Sequence, residues 1–69
     1  MKLYHFTVLV DSKEIPVVVA AESDEQAFKR AEIEVEKSFL KFPDIKEVVL
    51  LERKKVTNSG TAFVITEKL

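Results

Sequence analysis

Sixty-nine residues, 46% of them hydrophobic and 33% charged, suffice for one small globular domain, residues 1–69, and leave no room for a second. Eleven basic against twelve acidic side chains give a formal net charge of -1, too even a balance for a surface that attracts nucleic acid or membrane through bulk charge. The chain has no cysteine, which excludes disulfide frameworks, thiolate catalysis and cysteine-ligated zinc and makes a reducing cytoplasm the simplest setting.

The first element is a strand over residues 3–10, with Tyr4, Phe6, Val8 and Val10 on one side and Leu3, His5, Thr7 and Leu9 on the other. The former set is larger and more apolar, so it is assigned to the core. Asp11 to Glu14 is rich in turn formers, and residues 15–21 are dense in β-branched side chains. Together they form a hairpin. With Ser12 and Lys13 at its tip, Val10 faces Ile15, Val8 faces Val17, Phe6 faces Val19 and Tyr4 faces Ala21. Pro16 cannot donate a ladder hydrogen bond, which suits an edge strand.

Ser23-Asp24-Glu25-Gln26 reads as a helix start: the Ser hydroxyl can accept from the amide of the third helical residue while Gln26 reaches back. Phe28, Ala31, Val35, Phe39 and Phe42 then recur at spacings of three and four, giving an amphipathic helix over 24–41 that stops before Pro43. Glu25 with Lys29, and Arg30 with Glu34, are spaced for ion pairs. Ile33 and Leu40 lie opposite the main apolar stripe and would be exposed in a monomer.

Residues 45–56 read as a third strand and residues 61–66 as a fourth, joined through Thr57-Asn58-Ser59-Gly60. In the third strand Val48, Leu50 and Val56 share one face, and Ile45, Val49 and Leu51 the other. A one-residue bulge at Gly60 exchanges which set accompanies Phe63 and Ile65, and both registers stay open.

The expected fold is therefore α+β in the order ββαββ: a four-stranded, mostly antiparallel sheet with one helix packed on one face. The two strands flanking the helix run parallel, and a sheet order 2-1-4-3 satisfies the right-handed crossover rule.

One helix covers one face only. The other also carries apolar residues, Leu3, Leu9 and Val18 from the first hairpin together with residues of the third strand, where a wet face would be polar. Such a patch marks an interface, with self-association as its simplest version. A thin core points the same way, since small domains without disulfides or metal often gain stability by oligomerising.

Chemistry is harder to find. His5, the single histidine, has no second histidine, cysteine or carboxylate at ligand spacing, so a structural or interface role is favoured over a base or metal ligand. Glu32, Glu34 and Glu36 do not converge on a helix, because i and i+2 diverge, and a solvated, ion-paired face outweighs a metal site. Tyr4 and Phe6 alternate like the stacking aromatics of sheet-based RNA readers, yet they belong to the core face. Gly60 is the single glycine, so no glycine-rich phosphate loop or nucleophile elbow exists. No catalytic, cofactor-binding or metal-binding residues are assigned, and an enzyme is not expected.

Arg53-Lys54-Lys55 is the one basic run. It could form a phosphate-binding tip, or a charged hairpin end that resists edge-to-edge aggregation, and the charge balance favours the latter.

Leu3-Tyr4-His5-Phe6, Val18-Val19-Ala20-Ala21 running into Asp24-Glu25-Gln26-Ala27-Phe28, Val35 to Lys41, Glu52 to Lys55 and Ala62-Phe63-Val64 together resemble a domain family of unknown function from spore-forming Gram-positive bacteria. The resemblance spans most of the chain. It implies a bacterial cytoplasmic protein and brings no reaction, cofactor or site with it.

The leading expectation is a non-catalytic module that dimerises or docks a protein through Leu3, Leu9 and Val18, helped by Ile33 and Leu40. The alternative is a nucleic-acid-associated regulator using Arg53, Lys54 and Lys55. Membrane association is not expected, since no apolar run approaches the roughly 20 residues that cross a bilayer, and Met1 and Lys2 lead into alternation rather than an apolar block.

Overall fold

A computed structural model describes residues 1–38 and 44–64. Its elements are strand β1 (Lys2–Val10), strand β2 (Lys13–Ala21), helix α1 (Asp24–Ser38) and strand β3 (Ile45–Lys55).

β1 and β2 form the expected hairpin, but the loop is Asp11-Ser12 and the register differs by two residues. Val10 faces Lys13, Val8 faces Ile15, Phe6 faces Val17 and Tyr4 faces Val19. Asp11 supplies the reason, because it adopts φ 55°, the left-handed conformation that tight two-residue hairpin turns require and that Asp tolerates. A shift by an even number keeps every side chain on its assigned face. Tyr4, Phe6, Val8 and Val10 are accordingly buried, while Leu3, His5, Thr7 and Leu9 are half-buried.

The helix begins as its residues dictate. Gln26 donates its backbone N–H to Ser23 Oγ at 3.2 Å, and its side-chain Oε1 accepts from the Glu22 N–H at 3.1 Å. Ala27, Ala31 and Val35 turn inward, with Phe28 half-buried beside them. Arg30 pairs with Glu34 at 3.5 Å and Lys37 joins the same carboxylate at 3.6 Å. No Glu25–Lys29 ion pair occurs among the described residues. The end of the expected helix, with Phe39, Leu40 and Phe42, lies outside the described residues.

Among the described residues the sheet has three strands in the order β2-β1-β3, all neighbours antiparallel. This corrects the four-stranded expectation and its order 2-1-4-3. β2 and β3 do run in the same direction, but β1 lies between them. Pairing on both sides suits β1, whose inward side chains are all buried, and the outer edge of β2 carries Pro16, which has no N–H to offer a neighbour.

Two bulges correct the faces of β3. Leu51 and Lys46 are left without partners on β1, so Ile45, Val48 and Leu50 all fall on the helix side opposite Val10, Val8 and Phe6. Ile45 thus changes face, Val49 remains on the open side opposite Thr7, and Leu51 at the bulge is 54% exposed.

Thr61 to Val64 form no strand, and Ile65 and Thr66 lie outside the described residues. The cause is local. Gly60, at φ 100°, closes a turn by donating its N–H to the Thr57 carbonyl at 3.0 Å. The Thr61 hydroxyl then accepts from the Thr57 N–H at 3.2 Å and donates to the Lys55 carbonyl at 3.0 Å, taking groups that a hairpin ladder would use.

The core lies between α1 and the sheet. Tyr4 and Phe6 stack at 6.0 Å between centroids, and Phe28 meets the Phe6 ring edge-on at 4.9 Å. Val8, Val10 and Val35 form a second cluster lower in the same layer.

Candidate interaction surface

The sheet face away from α1 is built by the alternation of its strands. β1 contributes Leu3, His5, Thr7 and Leu9, β2 contributes Pro16, Val18 and Ala20, and β3 contributes Val49. Leu3, Leu9 and Val49 are half-buried, and Val18 is 46% exposed. Glu14, Glu47, Glu52 and Lys54 surround them, so an apolar strip runs through a charged border.

One end of this face is occupied. Past Gly60, Phe63 packs beside the His5 ring at 5.8 Å between centroids, and Lys54 Nζ sits 5.0 Å from the centre of the same aromatic ring while donating to the Ala62 carbonyl at 2.9 Å. Val64 follows at 86% exposure. Of the segment read as a fourth strand, the part around Phe63 is a partial cover for the open face, leaving the Thr7, Leu9, Val18 and Val49 end uncovered by the described residues.

The interface residues inferred from sequence divide between two surfaces. Leu3, Leu9 and Val18 share the open face, whereas Ile33 is on the opposite side of the sheet, half-buried in a cleft between α1 and β2 with Ala20, Ala21, Gln26, Lys29 and Arg30. Leu40 lies outside the described residues.

The basic run divides too. Arg53 faces the helix side and binds Asp24 Oδ2, whereas Lys54 faces the open side and reaches Glu52 at 3.8 Å as well as Phe63. Lys55 points with Arg53, opposite Lys2. The three cations form no continuous patch.

A polar tie at the helix start was not foreseen. Tyr4, with no exposed surface, donates its hydroxyl to Asp24 Oδ1 at 2.9 Å, and Arg53 holds the other carboxylate oxygen. Burial of the phenol, and then the hydrogen bond to Asp24, push Tyr4 above the ordinary tyrosine value. The hydrogen bond from Tyr4, supported by the Arg53 guanidinium, holds Asp24 below the ordinary carboxylate value. The usable signal was the Tyr4 hydroxyl itself: a tyrosine on a core face needs a polar partner at its tip.

Among the described residues no group of three or more His, Cys, Asp or Glu is placed to hold a metal ion, and no helix is long and apolar enough to cross a membrane. No curated protein and no solved structure matched the chain. A family model, that of a protein of unknown function designated DUF3906, matches residues 1–65. That match covers most of the length, and the chain belongs to the DUF3906 family.

Proposed function

We propose that the protein is a non-catalytic interaction module of the cytoplasm whose open sheet face is closed by a second copy of the chain. The observation that carries this reading is the row Leu3, Leu9, Val18 and Val49 on a face whose opposite side already has its helix. Antiparallel sheets that leave one face to water normally line it with polar side chains.

The dimensions set the strength. β1 pairs over nine residues with each neighbour, so the sheet covers about 15 by 30 Å, and two such faces, counting the end that Phe63 partly covers, bury at most on the order of 900 Å² in total, below the usual range of stable interfaces. The expected dimer is weak and exchanges in the micromolar range. Charge at the border, with Glu14, Glu47 and Glu52 against Lys54, then fixes how the copies are rotated.

Absolute mass by light scattering across a dilution series tests this. Leu9→Asp places a carboxylate on the central strand at the uncovered end of the face, between Glu14 and Glu47, and should leave a folded monomer at every concentration. A variant that stays as dimeric as the wild type would remove this face from the interface.

A further inference from the structure

The cleft that receives Ile33 is one of two that lie end to end along the seam between α1 and the outer edge of β2. The first, about 300 Å³, is lined by Ala20, Ala21, Gln26, Lys29, Arg30 and Ile33. The second, about 310 Å³, is lined by Ile15 to Val18 with Glu34, Val35 and Ser38 of the helix. Because α1 runs back along β2, the basic cleft is at the end of β2 and the apolar one at its start.

The strand forming the floor has an open edge. In a two-residue hairpin the residues flanking the loop, Val10 and Lys13, form a hydrogen-bonded pair, and alternation then assigns Ile15, Val17, Val19 and Ala21 to bonds with β1. The backbone groups of Glu14, Val18 and Ala20 therefore point outward, as does the carbonyl of Pro16. β2 ends the sheet, so no strand among the described residues takes them.

Charge distinguishes the two ends. Glu34 is shared between Arg30 and Lys37, and Lys29 has no carboxylate within ion-pairing distance among the described residues. Glu22, at the rim, is engaged by the Met1 amino group at 3.3 Å. The Ala20 end of the seam thus presents Lys29, unpaired among the described residues, beside the outward N–H groups of Val18 and Ala20.

We propose that this seam binds an extended peptide that adds to β2 as a fourth strand, with an acidic residue at its N-terminal end lying against Lys29 and Arg30 and apolar or β-branched residues following towards Ile15. Strand addition to a free edge beside a helix draws affinity from main-chain hydrogen bonds and specificity from alternate side chains. The length agrees: Gln26 to Ser38 spans about 18 Å of helix, which five or six extended residues match. Antiparallel pairing places the peptide N-terminus at the Ala20 end. This surface is the outer edge of the sheet, adjoining Val18 of the proposed dimer face, and the inference does not rest on that dimer.

The test uses two synthetic hexapeptides, acetyl-Asp-Glu-Val-Thr-Val-Thr-amide and its counterpart beginning Lys-Lys, titrated into the 15N-labelled full chain. The acidic peptide should shift the Val18 and Ala20 amides together with Lys29 to Ile33, and slow hydrogen exchange at Val18 and Ala20. It should bind about fivefold more tightly than the basic one, the scale of exposed charge pairs. The double variant Lys29→Glu with Arg30→Glu, both on the outer helix surface, should keep its circular dichroism spectrum and reverse the preference. The proposal is overturned by an absence of shifts at millimolar peptide, by shifts confined to Leu3, Leu9 and Val49, or by equal binding of both peptides.

Discussion

Tyr4 joins the core to the helix start through one hydroxyl. Its ring stacks on Phe6 inside the domain while its oxygen reaches Asp24, which Arg53 of β3 holds from the other side. Three elements therefore meet at one carboxylate. Linkage gives the consequence in both directions of pH. Asp24 is held below its ordinary value of 3.8, so its contribution is present above that value and is lost as pH falls through the lower folded value. Tyr4 is raised above 10.0, so its contribution is present below that value and is lost as pH rises through the higher folded one. Urea unfolding should show stability falling in acid below about pH 4, and Asp24→Asn should flatten that limb. Tyr4→Phe should lower the melting temperature by several degrees at pH 7, with the Asp24 carboxyl resonance titrating closer to its ordinary value. Phe6 sets the scale of the core. Phe6→Ala should cost about 3–5 kcal/mol, comparable to the whole stability of a domain this small, and yield a largely unfolded chain by circular dichroism.

At the scale of elements, period decided what could be read. β1 alternates cleanly and α1 repeats at three and four, so their buried faces were legible from residue types alone. The hairpin register was misplaced because a left-handed Asp looks no different in sequence from any other turn Asp. Asp11→Val should cost about 1–2 kcal/mol by forcing a β-branched residue into that conformation, measured as a fall in urea midpoint with unchanged slope. The cap is local and was readable: Ser23→Ala should cost about 1 kcal/mol, or a few degrees of melting temperature. β3 was harder, since bulges at Lys46 and Leu51 break the period of two and move Ile45 to the helix side. The fourth strand failed for a related reason. Val, Phe and Thr near Gly60 satisfy a strand pattern, but the Thr61 hydroxyl closes the turn on itself and sends Phe63 over His5. Strand propensity measures fit to a half-buried surface, and lying across a sheet provides that fit as well as lying within one.

For the whole molecule, the layers are helix, sheet and a partial third layer made by the segment around Phe63. Part of that arrangement followed from sequence: one helix on one face of an antiparallel sheet and an apolar strip on the other. The separation of Ile33 from Leu3, Leu9 and Val18 did not, because it depends on how the helix sits over β2. The basic run is likewise resolved only in three dimensions, where alternation and ion pairing send Arg53 and Lys54 to opposite faces. What remains is a small domain with an apolar face larger than its own chain covers among the described residues.

Mass in solution reads that feature most directly. Light scattering on the wild-type chain from about 1 µM to 1 mM should show a monomer passing to a dimer of twice its 7.9 kDa mass, with Leu9→Asp monomeric and folded throughout. A wild-type chain that remains monomeric at 1 mM would contradict the account, because the open face would then be stable in water without a second copy.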